Sequence, residues 1–277
     1  MAHEAGRRTA DRSHQDVSMT TRPTTSPRRT ALVTGVGRRA GIGAAIARRL
    51  LRDGFDVASC AWSAYDDRTA WGADTATGEE LAGAARQVGG RTLAVESDLA
   101  DPSAIPALYD LVNSELGPVT VLVMAHCESV DSTILTTSLE SFDRHFQVNA
   151  RASWLLIREF ARRFGAEGAV GRIVALTSDA LAGNVPYGAS KGALDRIVLA
   201  AAREFADLGV TANVVNPGPT DTGWISDTLR HQLLGDTPGH RLGTPEDAAN
   251  LVSFLCSSEG GWVNGQLLVS DGGLSAP

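Results

Sequence analysis

Short apolar runs alternate with stretches of helical period along most of this chain. Ala31-Leu32-Val33, closed by Thr34-Gly35, has the unbroken apolar character of a strand buried on both faces. Phe55–Cys60, Thr92–Val95, Val119–Met124, Arg172–Leu176, Val210–Val215 and Leu267–Val269 repeat the pattern, which predicts seven strands. Between them, Ile42–Leu51 sets Ile46 and Leu50 on one helical face. Phe142–Arg163, Pro186–Asp207 and Pro245–Ser257 read as longer helices. This alternation predicts a Rossmann-type, doubly wound α/β fold: a seven-stranded parallel sheet with helices on both faces. Trp62–Gly78 breaks the rhythm. It holds Trp62, Tyr65, Trp71 and several acidic residues without a period, and reads as a long loop after the second strand.

Composition narrows the class. A chain of 277 residues with 43 % hydrophobic and 21 % charged residues suits one large domain with a substantial core. The longest apolar runs fall short of the roughly 18 residues a membrane span needs, so no membrane association is expected. A net charge of −7 without a basic stripe argues against nucleic acid as a partner. Cys60, Cys127 and Cys256 lack paired spacing, so neither a disulfide framework nor a metal site is expected, and a cytoplasmic location suits them. Residues 1–28, rich in Arg, Thr, Ser and Pro, read as a disordered extension, with Met19 as an alternative start. Residues 29–277 form the single expected domain.

Two motifs carry chemistry. Thr34-Gly35-Val36-Gly37-Arg38-Arg39-Ala40-Gly41-Ile42-Gly43 follows a predicted strand and opens a predicted helix. Glycines there allow a tight turn and close approach of the backbone to a pyrophosphate, held by the positive end of the helix. A purely structural turn is the plainer alternative. In Tyr187-Gly188-Ala189-Ser190-Lys191, Pro186 suits a first helical turn, so Tyr187 and Lys191 share a face one turn apart. An ammonium beside a phenol stabilises phenolate and fits acid–base work, although a solvated helix face accounts for the same pair.

Together with residues dispersed from Thr30 to Gly273, these motifs resemble the short-chain dehydrogenase/reductase family, and in particular bacterial 3-oxoacyl-carrier-protein reductase-like oxidoreductases. Asp98-Leu99 stands where the family meets the adenine, Asn149 and Ser178 where it has catalytic residues, and Asn216–Thr222 where a Pro-Gly loop holds the nicotinamide. Gly265-Gln266 and Asp271-Gly272-Gly273 match its C-terminal strand region. The resemblance implies hydride transfer between a nicotinamide and a small-molecule carbonyl or secondary alcohol. Tyr187 would be the general acid/base, Lys191 would bind the ribose and lower the Tyr187 pKa, Ser178 would bond the carbonyl oxygen, and Asn149 would support a water-linked proton path. Gly35, Arg38, Arg39, Gly41, Ile42, Gly43 and Trp62 would hold the cofactor, with Asp98, Leu99, Ala125, Asn149, Tyr187 and Lys191. Pro217, Gly218, Thr220 and Thr222 complete that set. A homotetramer is expected on the same ground. A dinucleotide-binding sensor without turnover is the rival reading.

The chain also departs from the family. Its glycine loop is longer by about two residues. Where the family shows Asn-Asn-Ala-Gly it reads Met124-Ala125-His126-Cys127, which predicts a lost brace in the central sheet. Two adjacent residues, His126 and Cys127, would make a poor chelate. Only nine positions separate Ser178 from Tyr187, which predicts an unusual pocket wall over Asp179–Val185 and leaves Thr177 as a neighbouring candidate. The end of the second strand carries Ala61 and Trp62 where an acid would mark NAD, while Arg38 and Arg39 suit a 2′-phosphate. NADP(H) is therefore expected, with NAD(H) the alternative should the long loop fold back and bring Asp66 or Asp67 inward. Gly223–Leu242, with Trp224, Ile225, Leu229, Leu233 and Leu234, is the expected lid over an apolar pocket, and would equally suit a helix packed on its own core.

Overall fold

A computed structural model describes residues 28–165 and 170–277. The expected extension lies outside the described residues except for Arg28. That residue is anchored: its guanidinium meets the buried Asp56 carboxylate at 3.1 Å and donates to the Leu51 and Phe55 carbonyls. Arg91 closes on the same carboxylate from the far side, so Arg28 belongs to the folded domain.

Seven strands form one parallel sheet: β1 (Thr30–Thr34), β2 (Asp56–Ala61), β3 (Thr92–Glu96), β4 (Val119–Met124), β5 (Gly171–Leu176), β6 (Val210–Asn216) and β7 (Leu267–Val269). Their order is β3-β2-β1-β4-β5-β6-β7. The chain leaves β1 toward one edge and returns to β4 on its other side, so a crevice opens at the carboxyl ends of β1 and β4.

Helices cover both faces, as the alternation predicts. On one face, α4 (Ala104–Glu115), α6 (Ala152–Arg163) and α7 (Val185–Glu204) bury Tyr109, Leu156, Phe160 and Val198. On the other, α1 (Ile42–Arg52), α3 (Thr77–Gln87) and α9 (Pro245–Cys256) bury Ile46, Leu50, Leu81 and Val252. Residues of β1 contribute to both layers, Leu32 to one and Ala31 and Val33 to the other, which is why that strand lacks polar alternation.

Three details differ from the sequence reading. The long helix expected over Phe142–Arg163 begins at Leu139, where Ser138 caps the amide of Ser141, and is a composite. An α-helical turn α5 (Leu139–His145) passes through a π-helical stretch at Phe146–Arg151 before α6. The Trp62–Gly78 segment contains a one-turn helix α2 (Ser63–Asp66), and its last residues already belong to α3. The short connection between Ser178 and Tyr187 is held by a parallel bridge: Ser132 donates its amide to the Gly183 carbonyl at 2.9 Å and accepts from the Val185 amide at 3.2 Å.

Candidate active site

The glycine loop turns sharply after β1. Gly35 adopts φ 76°, open to glycine, and a side chain there would strike the backbone of Ala125 and His126. A side chain on Gly43 would strike the Gly35 carbonyl, so α1 docks tightly against the turn. Its cap, Gly41, offers no side-chain acceptor, which leaves the first amides of α1 available to an anion. The arrangement fits a pyrophosphate: bare backbone, no competing side chain, and the positive end of a helix.

A cleft of about 830 Å³ begins at this turn. Gly35, Arg38, Gly41, Ile42 and Gly43 line one end together with Trp62, Asp98, Leu99 and Ala125. Ser178, Tyr187 and Lys191 line the other, with Pro217, Gly218, Thr220 and Thr222 along the side. Thr177, the neighbouring candidate, also borders the cleft. Most of the residues singled out from sequence are therefore brought together.

Arg39 stands apart. Its guanidinium and its amide both bind Asp74, at 2.9 and 3.1 Å, and turn it out to solvent. Asn149 also lies behind the cleft wall, fully buried. Its amide donates to the Glu128 carbonyl (2.9 Å) and to Ser190 Oγ (2.8 Å), and its oxygen accepts from the Glu128 amide (2.7 Å). Ser190 Oγ in turn donates to the Tyr187 carbonyl, so Asn149 braces the backbone that carries the tyrosine. It sits within the π-helical stretch, whose wider turn accompanies this inward bonding. Asp98 meets Arg144 of α5 through both oxygens, at 3.2 and 3.0 Å.

Lys191 is buried, and its Nζ donates to the Leu176 carbonyl at 2.8 Å while standing 5.7 Å from the centre of the Tyr187 ring. Burial lowers the lysine pKa and pushes the Tyr187 phenol above its ordinary value. The Cys127 side chain adds to the latter, and the Ser178 hydroxyl works against it. The Tyr187 phenol therefore stands above its ordinary value, because burial penalises the phenolate more than the Ser178 hydrogen bond favours it.

The brace expected to be missing at Met124–Cys127 is supplied by His126. Its Nδ1 lies 2.7 Å from Thr34 Oγ1 and its Nε2 3.1 Å from the Val148 carbonyl. A carbonyl only accepts, so Nε2 carries the proton and Nδ1 accepts from the threonine. Burial, with Lys191 adding to it, drives the His126 pKa down to about 3, so the ring is neutral. Cys127 lines the cleft, and burial pushes its thiol up.

The long loop does fold back, and it brings inward Asp66, one of the two acids on which the NAD(H) alternative turns, together with Trp71. Buried Asp66 rests on Gly37, stands 4.0 Å from Arg38 Nε and accepts from Trp71 Nε1 at 3.3 Å. The Arg38 guanidinium lies 4.2 Å from the centre of the Trp71 ring and donates to the Thr222 carbonyl at 2.9 Å. Arg68 reaches the buried Glu128 at 3.0 Å, and the Trp62 ring sits near both Arg68 and Arg144. Trp71 touches Trp224 with ring centres 4.8 Å apart. The lid region holds one helix, α8 (Asp227–Asp236), and its Trp224, Ile225, Leu229 and Leu233 face the cleft.

A nicotinamide-dinucleotide oxidoreductase is the class to which this fold and cleft correspond. Residues 35–275 match the family described as enoyl-(acyl carrier protein) reductase, and the chain belongs to the short-chain dehydrogenase/reductase family. It is 36 % identical over 253 residues to the oxidoreductase YjdA of Bacillus subtilis, covering 90 % of this chain and 97 % of that one. It is 34 % identical to an NADPH-dependent aldehyde reductase-like chloroplastic protein of Arabidopsis thaliana, over 88 % and 93 % of the two chains. It is 31 % identical to the 3-oxoacyl-[acyl-carrier-protein] reductase MabA of Mycobacterium bovis, over 89 % and 92 %. A solved short-chain dehydrogenase from Burkholderia cenocepacia in complex with NADP superposes with a TM-score of 0.79 at 32 % identity, covering 90 % and 98 % of the chains. Among the described residues no helix is long and apolar enough to cross a membrane.

Proposed function

We propose that this protein is an NADP(H)-dependent carbonyl reductase that also runs in the alcohol-oxidising direction, with Tyr187 as its general acid/base. The observation that carries the reading is the convergence of Ser178, Tyr187 and Lys191 at one end of a cleft whose other end is the uncapped start of α1. The α1 amides and Gly35, Gly41 and Gly43 would hold the pyrophosphate. Lys191 would bind the nicotinamide ribose, and Pro217–Thr222 would border the nicotinamide. When bound, the cofactor supplies the hydride. Ser178 donates to the carbonyl oxygen and stabilises its growing charge. Tyr187 delivers the proton to that oxygen, and its raised pKa keeps the phenol protonated and suited to reduction. Asn149, through Ser190, fixes the helical turn that aims Tyr187.

Arg38 is the proposed partner of the 2′-phosphate, supported by its position in the cleft and by Ala61 and Trp62 at the end of β2. Asp66 beside Arg38 favours the second reading, NAD(H), because a carboxylate there would meet a ribose hydroxyl and repel a phosphate. Oxidation of NADPH and NADH against a panel of ketones and aldehydes tests the whole proposal. Turnover with NADPH is the expected result, and cofactor binding without turnover across the panel would favour the sensor instead.

A homotetramer is proposed from two apolar surfaces: a groove lined by Phe146, Trp154 and Ile197, and the edge strand β7 with exposed Leu267 and Val269 near Trp262. Three free cysteines accord with a cytoplasmic site of action.

A further inference from the structure

Beyond Tyr187 the cleft has two unlike walls. The lid offers Trp224, Ile225, Leu229 and Leu233, and the loops after β4 and β5 offer the carboxylates of Asp131 and Asp179. The short Ser178–Tyr187 connection carries Asp179 and binds Asp131 through Asn184. Asp179 follows Ser178 directly, and its charge reaches Tyr187, raising the phenol pKa. Asn184 precedes α7 and donates its amide to Asp131 Oδ1 at 3.0 Å and to Ser129 Oγ at 2.8 Å. The bridge between Ser132 and Asn184 ties the loop of Asp131 to the residue that precedes α7, the helix that carries Tyr187.

Among the described residues that line the cleft, no cation answers these charges. Among the described residues, the lysine and arginines lining the cleft are Arg38, Arg144 and Lys191. Arg38 pairs with Asp66, and Arg144 with Asp98 and Glu128, all toward the glycine-loop end. Lys191 is turned to the Leu176 carbonyl. Asp271, the remaining acid near the lid, is satisfied by the amides of Gly273 and Ser275.

We propose that the substrate is an apolar carbonyl compound with no negative charge near its reacting group, neutral or ammonium-bearing, and that Asp131 and Asp179 set this preference by repelling carboxylates and phosphates. The inference rests on the reductase reading above and deepens it. In the reaction the carbonyl carbon gains a hydride from the nicotinamide and the oxygen gains the Tyr187 proton, so a neutral ketone gives a neutral alcohol. A carboxylate beside the carbonyl would approach two like charges at the exposed side of the cleft. That repulsion should weaken kcat/KM by about tenfold or more. A thioester of coenzyme A brings phosphates to the same mouth and should fare no better.

The test compares ethyl acetoacetate, acetoacetate, aminoacetone and acetoacetyl-coenzyme A as substrates with NADPH, in the wild type, Asp131→Asn, Asp179→Asn and the double variant. Asparagine keeps an oxygen for the Asn184 amide, so the loop contact survives. The ester and aminoacetone should exceed the two anions by about tenfold or more in kcat/KM, and the double variant should shrink that ratio several-fold. An anion used as well as the ester, or a ratio unmoved by the double substitution, overturns the proposal. If no compound is reduced by any form, the reductase reading fails instead. Calorimetric titration of the same compounds onto the NADP-loaded protein then decides the charge preference by itself: binding of acetoacetate as tight as that of the ester overturns it, and weaker binding upholds it.

Discussion

Asp66 and Arg38 face each other at 4.0 Å over the glycine loop, the one delivered by the folded-back segment after β2 and the other by the turn itself. Burial pushes the Asp66 carboxyl up, and Arg38 and the Trp71 indole pull it back. The two side chains prefer opposite cofactors, and each is the other's nearest counter-charge.

Cofactor selection should therefore respond to both. Wild-type protein is expected to bind NADPH more tightly than NADH in a calorimetric titration. Arg38→Ala should cost NADPH about 1.5–3 kcal/mol and leave NADH almost unchanged. Asp66→Asn should move the preference further toward NADPH. Tighter NADH binding by the wild type would hand the role to Asp66.

Tyr187→Phe should lower turnover by at least about 10²-fold while leaving cofactor affinity intact, since only the hydroxyl is removed. Ser178→Ala should cost about 3 kcal/mol of transition-state stabilisation. Lys191→Ala should weaken cofactor binding as well as turnover. With the phenol pKa raised, the ionisation of Tyr187 should not limit the reduction rate at neutral or mildly alkaline pH. Steady-state kinetics of the three variants and a pH profile check this, and a Tyr187→Phe rate above about a tenth of wild type would assign the proton to another group.

Acid stability should depend on His126. Its folded pKa of about 3 lies below the ordinary imidazole value near 6.5. Between those values the unfolded chain binds the extra proton and the folded chain does not, so stability falls as pH falls through that window. From pH 6.5 to pH 5 the loss should be about 1.6 kcal/mol. His126→Gln should start less stable and show a flatter acid limb in denaturant titrations at a series of pH values. An unchanged acid slope would mean that the ring is already charged in the fold.

Gly188 lies inside α7, where alanine normally gains about 0.5–1 kcal/mol over glycine. Here an added methyl would strike the Ala180 carbonyl in the short loop after Ser178. Gly188→Ala should instead cost about 1–3 kcal/mol and lower kcat, because the displaced loop carries Ser178 and Asp179 with it. Thermal melts and kinetics on the same preparation check the sign.

The parallel sheet was legible because buried strands carry runs such as Val119–Met124 that no amphipathic helix would show. The glycine turn and the Tyr187/Lys191 pair were legible because their spacing is local. What escaped was contact between segments distant in sequence. Arg144 on Asp98 joins residues 46 positions apart, and Arg68 on Glu128 joins residues 60 apart, and neither leaves a periodic trace. The π-helical stretch escaped because six residues are too few to distinguish its period from 3.6. The bracing role of His126 is not legible in the sequence, because identity alone does not reveal the Thr34 hydroxyl and Val148 carbonyl that it joins.

Trp71 and Trp224 belong to opposite rims, one to the segment after β2 and one to the lid, and their rings meet at 4.8 Å with a 47° tilt. Two indoles this close and this oriented couple their electronic transitions. The molecule should thereby carry its own optical gauge of whether the rims are joined: an exciton-split dichroism couplet from the strong far-ultraviolet indole transition, expected to collapse when they part and readable in unlabelled protein while a ligand enters.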